Sequence, residues 1–133
     1  MKRYFIDTCV LIWLIDGNKR IRKVAENIEY CQGDFAVSMD VLREFLYLKA
    51  FNKIKVKTDL DTLIKLIASW GIEVCCFEKK HLKYLYDMPT FKEHTDPTDR
   101  NIIAHAIADK RILISGDGNF ALYEKHGLKF LEV

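Results

Sequence analysis

The sequence predicts an α/β fold in which helices cover both faces of a parallel sheet. Short apolar segments with strand character alternate with segments whose apolar residues recur at helical spacing. A strand–helix–strand order implies right-handed crossovers and therefore parallel strands. No repeat, low-complexity stretch or linker divides the 133 residues, so we expect one domain over residues 1–133.

The first half of the chain contains two predicted strands and four predicted helices. In chain order they are the strand "RYFID", the helices "TCVLIWLID" and "RKVAENIEYC", the strand "DFAVS", a helix from about Met39 to Asn52, and the helix "DLDTLIKLIASW". Gly17 and Gly71 follow the first and last of these helices, as is usual at helix C-termini.

The second half continues the alternation to the C-terminus. Its predicted segments are the strand "IEVCCF", the helices "KKHLKYLYD" and "DPTDRNIIAHAIADK", the strand "RILIS", the helix "GNFALYEKHG" and the strand "KFLEV". The two halves together supply five strands, and in such sheets ligands bind beyond the carboxyl ends of the strands.

Charge and composition leave nucleic-acid binding open. The net charge is +2, but basic residues cluster in two places, at Lys19, Arg20, Arg22 and Lys23, and at Lys49, Lys53, Lys55 and Lys57. Each cluster is either a solvated face or a binding patch.

Cysteine usage and hydropathy indicate a reduced cytoplasmic protein that has no contact with a membrane. The cysteines at 9, 31, 75 and 76 show no metal-binding spacing, and three of them lie in apolar stretches, which predicts buried thiols. No signal peptide is recognisable. The run "VLIWLI" is too short to span a membrane, and Asp16 ends it.

Four acidic residues are candidates for a shared site. Asp7 is the only charged residue in the apolar run from Tyr4 to Ile15, and an ionised carboxylate in a core is costly unless it is compensated. Asp7 ends the first strand and Asp117 follows the strand "RILIS", so both lie at the same rim of the sheet. Glu44 falls within the apolar stripe of its helix.

Each acid also has an ordinary structural explanation. Asp7 is a possible helix N-cap, and Glu44 is a possible stripe-edge residue that pairs with a cation. Asp96 and Pro97 form a helix start that places Asp99 in the first turn, where an acid complements the helix dipole. Asp117 lies between glycines, where a turn or cap explains it equally well.

Taken together, the four carboxylates favour a metal site. Clustered carboxylates repel each other unless a cation intervenes, and an all-oxygen site suits Mg²⁺ or Mn²⁺. Phosphodiester hydrolysis is the chemistry that fits. The histidines at 81, 94, 105 and 126 show no ligand spacing and are interpreted as mainly structural.

Three segments resemble the successive motifs of PIN-domain ribonucleases, and especially VapC-type toxins of toxin–antitoxin modules. They are "FIDTCVLIWLI", "VSMDVLREFLYLKAFNKIKV" and "HTDPTDRNIIAHAIADKRILISGDGNF". The resemblance implies a three-layer α/β/α sandwich with a five-stranded parallel sheet, Mg²⁺- or Mn²⁺-dependent endoribonuclease activity, an antitoxin partner and a homodimer.

By position, the resemblance assigns the catalytic and metal-binding roles to Asp7, Glu44, Asp99 and Asp117. Thr8 and Ser115 match hydroxylic residues that brace these carboxylates. We also expect Arg100, Lys49 and Lys53 to contact RNA.

The sequence argues against a haloacid-dehalogenase-type phosphatase, which needs a second acid where Cys9 stands, and against a ribonuclease-H-like nuclease, which begins with antiparallel strands. Two other functions remain as alternatives. A housekeeping PIN nuclease of RNA processing fits the same motifs. In a non-catalytic interaction module, the acids would only cap helices.

Overall fold

A computed structural model describes residues 1–30 and 32–133, and it confirms the predicted α/β fold. Five parallel strands form one sheet in the order β3-β2-β1-β4-β5. The strands are β1 (Arg3–Ile6), β2 (Asp34–Ser38), β3 (Glu73–Cys75), β4 (Ile112–Ser115) and β5 (Lys129–Glu132).

The helices lie between the strands along the chain, as the alternation predicts. They are α1 (Thr8–Asp16), α2 (Arg22–Glu29), α3 (Met39–Ala50), α4 (Leu60–Ser69), α5 (Leu82–Asp87) and α6 (Pro97–Ala108). Short 3₁₀ helices cover Lys19–Ile21, Lys79–His81 and Gly118–His126. Within the described part of the chain, no helix is long and apolar enough to cross a membrane.

The two central strands carry the core and set the position of the rim. Phe5 and Ile6 of β1 pair with Leu113 and Ile114 of β4, and all four side chains are buried. The backbone N–H of Asp7 donates to the carbonyl of Ile114 at 3.0 Å, which extends the ladder one residue beyond β1. Asp7 therefore emerges from the core at the carboxyl edge of the sheet, beside the end of β4.

The segment predicted as an α-helix over 118–127 is a 3₁₀ helix instead. Its buried side chains, Phe120 and Tyr123, are three residues apart. A 3₁₀ helix has three residues per turn, so it places both rings on the same face.

The prediction of buried cysteines is wrong for Cys76, which is exposed. Cys76 directly follows β3, an edge strand whose side chains are largely exposed. Cys9 and Cys75 are half-buried, and all three thiols are unpaired. The expectation for Cys31 lies outside the described residues.

Candidate functional site

The four predicted acids come together at the carboxyl edge of the sheet. Asp7 follows β1, Asp117 follows β4, Glu44 projects from the middle of α3, and Asp99 lies in the first turn of α6. All four line one cleft of about 340 Å³, hereafter the acidic cleft. Its other lining residues are Thr8, Cys9, Ile12, Trp13, Arg20, Leu48 and Gly116.

Asp7 is not explained by helix capping. It occupies the N-cap position of α1, but its side chain makes no capping hydrogen bond. Its Oδ2 accepts a 2.7 Å hydrogen bond from the Ser115 hydroxyl, whereas Oδ1 is buried without any partner among the described residues. A buried carboxylate oxygen without a partner is costly, and a cation in the cleft would compensate it.

Ser115 connects two of the acids through hydrogen bonds. Its hydroxyl donates to Asp7 and accepts a 3.0 Å hydrogen bond from the backbone N–H of Asp117. Asp117 also caps the following 3₁₀ helix by accepting from the N–H of Asn119 at 2.9 Å. Its capping role and its position in the cleft therefore coexist.

We expect Ser115→Ala to destabilise the protein by about 1–3 kcal/mol, since it leaves buried polar groups unsatisfied. Urea unfolding measures the loss. Ser69→Ala is the matched control, because the Ser69 hydroxyl donates to a backbone carbonyl on the exposed end of α4. Equal effects of the two substitutions would show that Ser115 has no special role in the cleft.

The bracing role expected for Thr8 stays a prediction. The Thr8 side chain is buried and faces Glu44, but its hydroxyl forms no hydrogen bond of good geometry within the described part of the chain. Like Asp7 Oδ1, the Thr8 hydroxyl is a buried polar atom of the cleft with no well-formed hydrogen bond among the described residues.

Electrostatics show that the acids repel each other in the absence of a cation. Burial raises the pKa of Asp99 to about 8, and the negative charges of Asp7, Asp96, Glu44 and Asp117 add to this effect. Burial likewise raises the pKa of Asp7 and of Glu44. Such mutual repulsion is what a divalent cation relieves.

One group of possible cation ligands combines two of the four acids with Asp96. Ligand oxygens of Glu44, Asp96 and Asp99 lie within 4.8 Å of one another. Asp96 is the N-cap of α6 and accepts from the N–H of Asp99 at 3.0 Å. It is therefore a helix cap, as predicted, that also borders the site.

His94 is a residue of the site that the sequence did not reveal. It is buried, with Nδ1 2.9 Å from the Tyr123 hydroxyl and Nε2 3.1 Å from Asp99 Oδ2. When the tyrosine donates to Nδ1, Nε2–H donates to Asp99 and fixes the orientation of its carboxylate. The only sequence signal was the position of His94, five residues before Asp99.

Two of the three cationic residues expected to contact RNA donate hydrogen bonds to backbone carbonyls of the protein itself. Lys49 Nζ donates to the Val56 carbonyl, and Arg100 Nη1 donates to the Pro89 carbonyl, each at 2.8 Å. Lys53 is exposed and borders the depression that adjoins the acidic cleft at Glu44, Leu48 and Asp99. RNA contact by these three residues stays a prediction.

A separate group, His81, His105 and Asp109, also places possible ligand atoms within 4.8 Å. However, His81 Nδ1 accepts a hydrogen bond from the N–H of Glu78 at 2.8 Å. The ring proton is then on Nε2, which lies 2.9 Å from Asp109 Oδ1. This nitrogen has no free lone pair for a metal, so the acidic cleft is the better metal site.

An apolar groove of about 510 Å³ lies apart from the acidic cleft. Its described lining residues are Leu14, Ala25, Ile28, Glu29, Ser69, Trp70 and Gly71. It shares none of them with the acidic cleft and contains one carboxylate, so it does not fit the same chemistry.

Solved structures that are similar in fold to this chain include three VapBC complexes. The VapBC2 complex of Rickettsia felis, bound to a promoter DNA fragment, matches with a TM-score of 0.72 and 23% identity, and the match covers 98% of each chain. VapBC-1 of nontypeable Haemophilus influenzae matches with a TM-score of 0.71 and 18% identity, and the match covers 97% of this chain and 96% of that chain. DNA-bound VapBC of Salmonella typhimurium matches with a TM-score of 0.65 and 15% identity, and the match covers 99% of this chain and 98% of that chain.

Sequence comparison identifies the family directly. No curated protein matches the sequence, but the family model of the PIN domain matches residues 4–125. This match includes all four acids of the cleft and agrees with the observed fold. The chain therefore belongs to the PIN domain family.

Proposed function

We propose that the protein is a divalent-metal-dependent endoribonuclease that hydrolyses RNA phosphodiester bonds in the acidic cleft. The observation that carries this proposal is the buried carboxylate of Asp7, whose Oδ1 has no hydrogen bond of good geometry among the described residues and which lines a cleft with three further acids. Helix capping does not account for this atom. Membership of the PIN domain family supports a nuclease.

The donor set of the cleft fits Mg²⁺ or Mn²⁺. Asp7, Glu44, Asp99 and Asp117 offer only carboxylate oxygens, which hard cations prefer. A cation held by these carboxylates would lower the pKa of an attacking water and offset the negative charge that develops on the phosphate.

The residues of the chain hold these ligands in place. The Ser115 hydroxyl fixes Asp7 and the turn at Asp117, and His94 fixes Asp99. In the proposed reaction, water adds to phosphorus, the bond from phosphorus to the 3′ oxygen breaks, and that oxygen receives a proton. The products then carry a 5′-phosphate and a 3′-hydroxyl.

The direct test is cleavage of single-stranded RNA by the purified protein. We expect cleavage with Mg²⁺ or Mn²⁺, none with EDTA, and slower cleavage as salt rises, because phosphate contacts release counterions. The fragments should have 5′-phosphate ends. Cleavage that persists in EDTA, or that leaves a 2′,3′-cyclic phosphate, would contradict the metal-dependent mechanism.

We also propose that the protein is the toxin of a toxin–antitoxin module, acting in the cytoplasm as a homodimer. Three of the solved structures with a similar fold are VapBC complexes, and this likeness in fold supports the proposal. An acidic cleft is suited to accept an Arg or Lys from an antitoxin, which would pair with the carboxylates and block the metal position.

Co-expression with the product of an adjacent small gene tests the toxin proposal. We expect growth arrest by the chain alone, relief by the partner, and a purified complex that does not cut RNA. Harmless expression of a chain that cleaves RNA in vitro would point instead to a housekeeping PIN nuclease.

A further inference from the structure

The acidic cleft has an aromatic and cationic side that the metal chemistry does not use. Trp13 of α1 and Arg20 line the cleft together with the acids. The guanidinium carbon of Arg20 lies 4.8 Å from the centroid of the Trp13 ring. A planar cation therefore covers an aromatic ring at the mouth of a cleft whose other side is anionic.

The local sequence builds this pair. Gly17 ends α1 in the left-handed conformation (φ 69°), and the N–H of Asn18 donates back to the Trp13 carbonyl at 2.9 Å. The Asn18 side chain then accepts from the N–H of Arg20 at 2.8 Å and starts the following 3₁₀ helix. This tight turn returns the chain over α1 and brings Arg20 above Trp13.

Gly116 fixes the distance between Trp13 and the acids. A Cβ at this position would lie 2.5 Å from Trp13 Cη2, so any other residue would push the indole away. Gly116 stands directly before Asp117, and both line the cleft. The indole edge is therefore packed against the backbone of the loop that carries one of the proposed metal ligands.

Arg20 is free to contact a ligand. Within residues 1–30 and 32–133 its side chain forms no ion pair with a carboxylate. It is exposed, and it is the only cationic residue among the described residues that line the acidic cleft. Arg43, in the adjoining depression, is instead paired with Asp40 at 2.9 Å.

We propose that Arg20 and Trp13 form a nucleotide-binding subsite in which an RNA base adjacent to the cleaved phosphate stacks on the guanidinium plane. This inference rests on the proposed ribonuclease function. Unpaired bases of single-stranded RNA stack on aromatic rings and on Arg planes in this way.

RNA binding without cleavage tests the subsite. The probe is a labelled single-stranded RNA of about ten nucleotides, a length typical of single-strand sites, with Ca²⁺ in place of Mg²⁺ and a check that the RNA stays intact. We expect Arg20→Ala and Arg20→Lys each to weaken binding about tenfold, because an ammonium keeps the charge but provides no plane for stacking.

Arg22→Ala is the matched control, since Arg22 is an exposed neighbouring cation that does not line the cleft. We expect it to weaken binding by no more than about threefold, the effect of losing one surface charge. Thermal unfolding shows whether each variant is folded. Equal losses for Arg20→Ala, Arg20→Lys and Arg22→Ala would overturn the subsite.

Trp13 fluorescence provides a second readout. If the cation–π pair had only a structural role, RNA would leave the Trp13 emission unchanged. In a Trp70→Phe background Trp13 is the only tryptophan, and we expect RNA to alter its emission on saturation. Unchanged emission with bound RNA would also contradict the inference. If the wild type cleaves RNA, these failures overturn the subsite alone; a wild type that neither binds nor cleaves RNA overturns both proposals.

Discussion

Asp7→Asn should reduce metal-dependent RNA cleavage by more than about a hundredfold, because loss of even an outer-shell partner of a metal ligand costs 10–100-fold. The substitution replaces a charged oxygen by an amide at the most buried acid of the cleft. The fold should persist. Without metal, the unfolding temperature should stay equal or rise, since the buried charge and its repulsion with Asp117 are removed.

Asp61→Asn is the matched control for this experiment. Asp61 is an exposed acid in the first turn of α4 and lies outside the acidic cleft. The Asp61→Asn variant should cleave RNA as fast as the wild type. An Asp7→Asn variant that is folded and equally active would show that Asp7 has no part in the chemistry.

Metal binding should depend strongly on pH through Asp99. Its pKa is raised to about 8, so the carboxyl is mostly protonated at pH 7 in the metal-free protein, and a cation must displace that proton. We expect affinity for Mn²⁺ to rise by about tenfold per pH unit from pH 6 to 8 and to level off above. Isothermal titration calorimetry in buffers of different ionisation enthalpy measures both the affinity and the protons released.

The same pKa shift sets the stability of the metal-free protein. The pKa of Asp99 is higher in the folded state than in the unfolded state, so its stabilising contribution is complete below about pH 4 and is lost as the pH rises through about 8. As the pH rises from about 4 to about 8, the free energy of unfolding of the Asp99→Asn variant should therefore increase relative to that of the wild type. An affinity for Mn²⁺ that is independent of pH, or a stability difference that shrinks as the pH rises, would contradict the shift.

Local sequence signals predicted most of the fold. The apolar periodicity of "TCVLIWLID" and the glycine after it gave the bounds of α1, Thr8–Asp16, as observed. Strand and helix order predicted the parallel sheet, because parallel strands require crossovers. The edge position of β3 was not readable from its apolar sequence, and for this reason Cys76 was wrongly expected to be buried.

Three acids of the cleft were predictable because Asp7 and Asp117 follow strands and Asp99 starts a helix at the same edge of the sheet. Glu44 was indicated instead by its place in the apolar stripe of α3. The contacts that orient the acids were not predictable. His94 reaches Asp99 from the loop before α6, and its ring is held by Tyr123, which lies 29 residues away. The contact of Arg20 with Trp13 likewise depends on a turn at Gly17 that local patterns show only as a helix end.

The most direct test of a metal site in the acidic cleft is the anomalous diffraction of crystals soaked in Mn²⁺. We expect one or two peaks bounded by oxygens of Asp7, Asp99, Asp117 and Glu44, at about 2.0–2.3 Å from the nearest carboxylate oxygens. Peaks absent from this cleft, while RNA cleavage still requires Mn²⁺, would contradict the account. So would a peak confined to His81, His105 and Asp109.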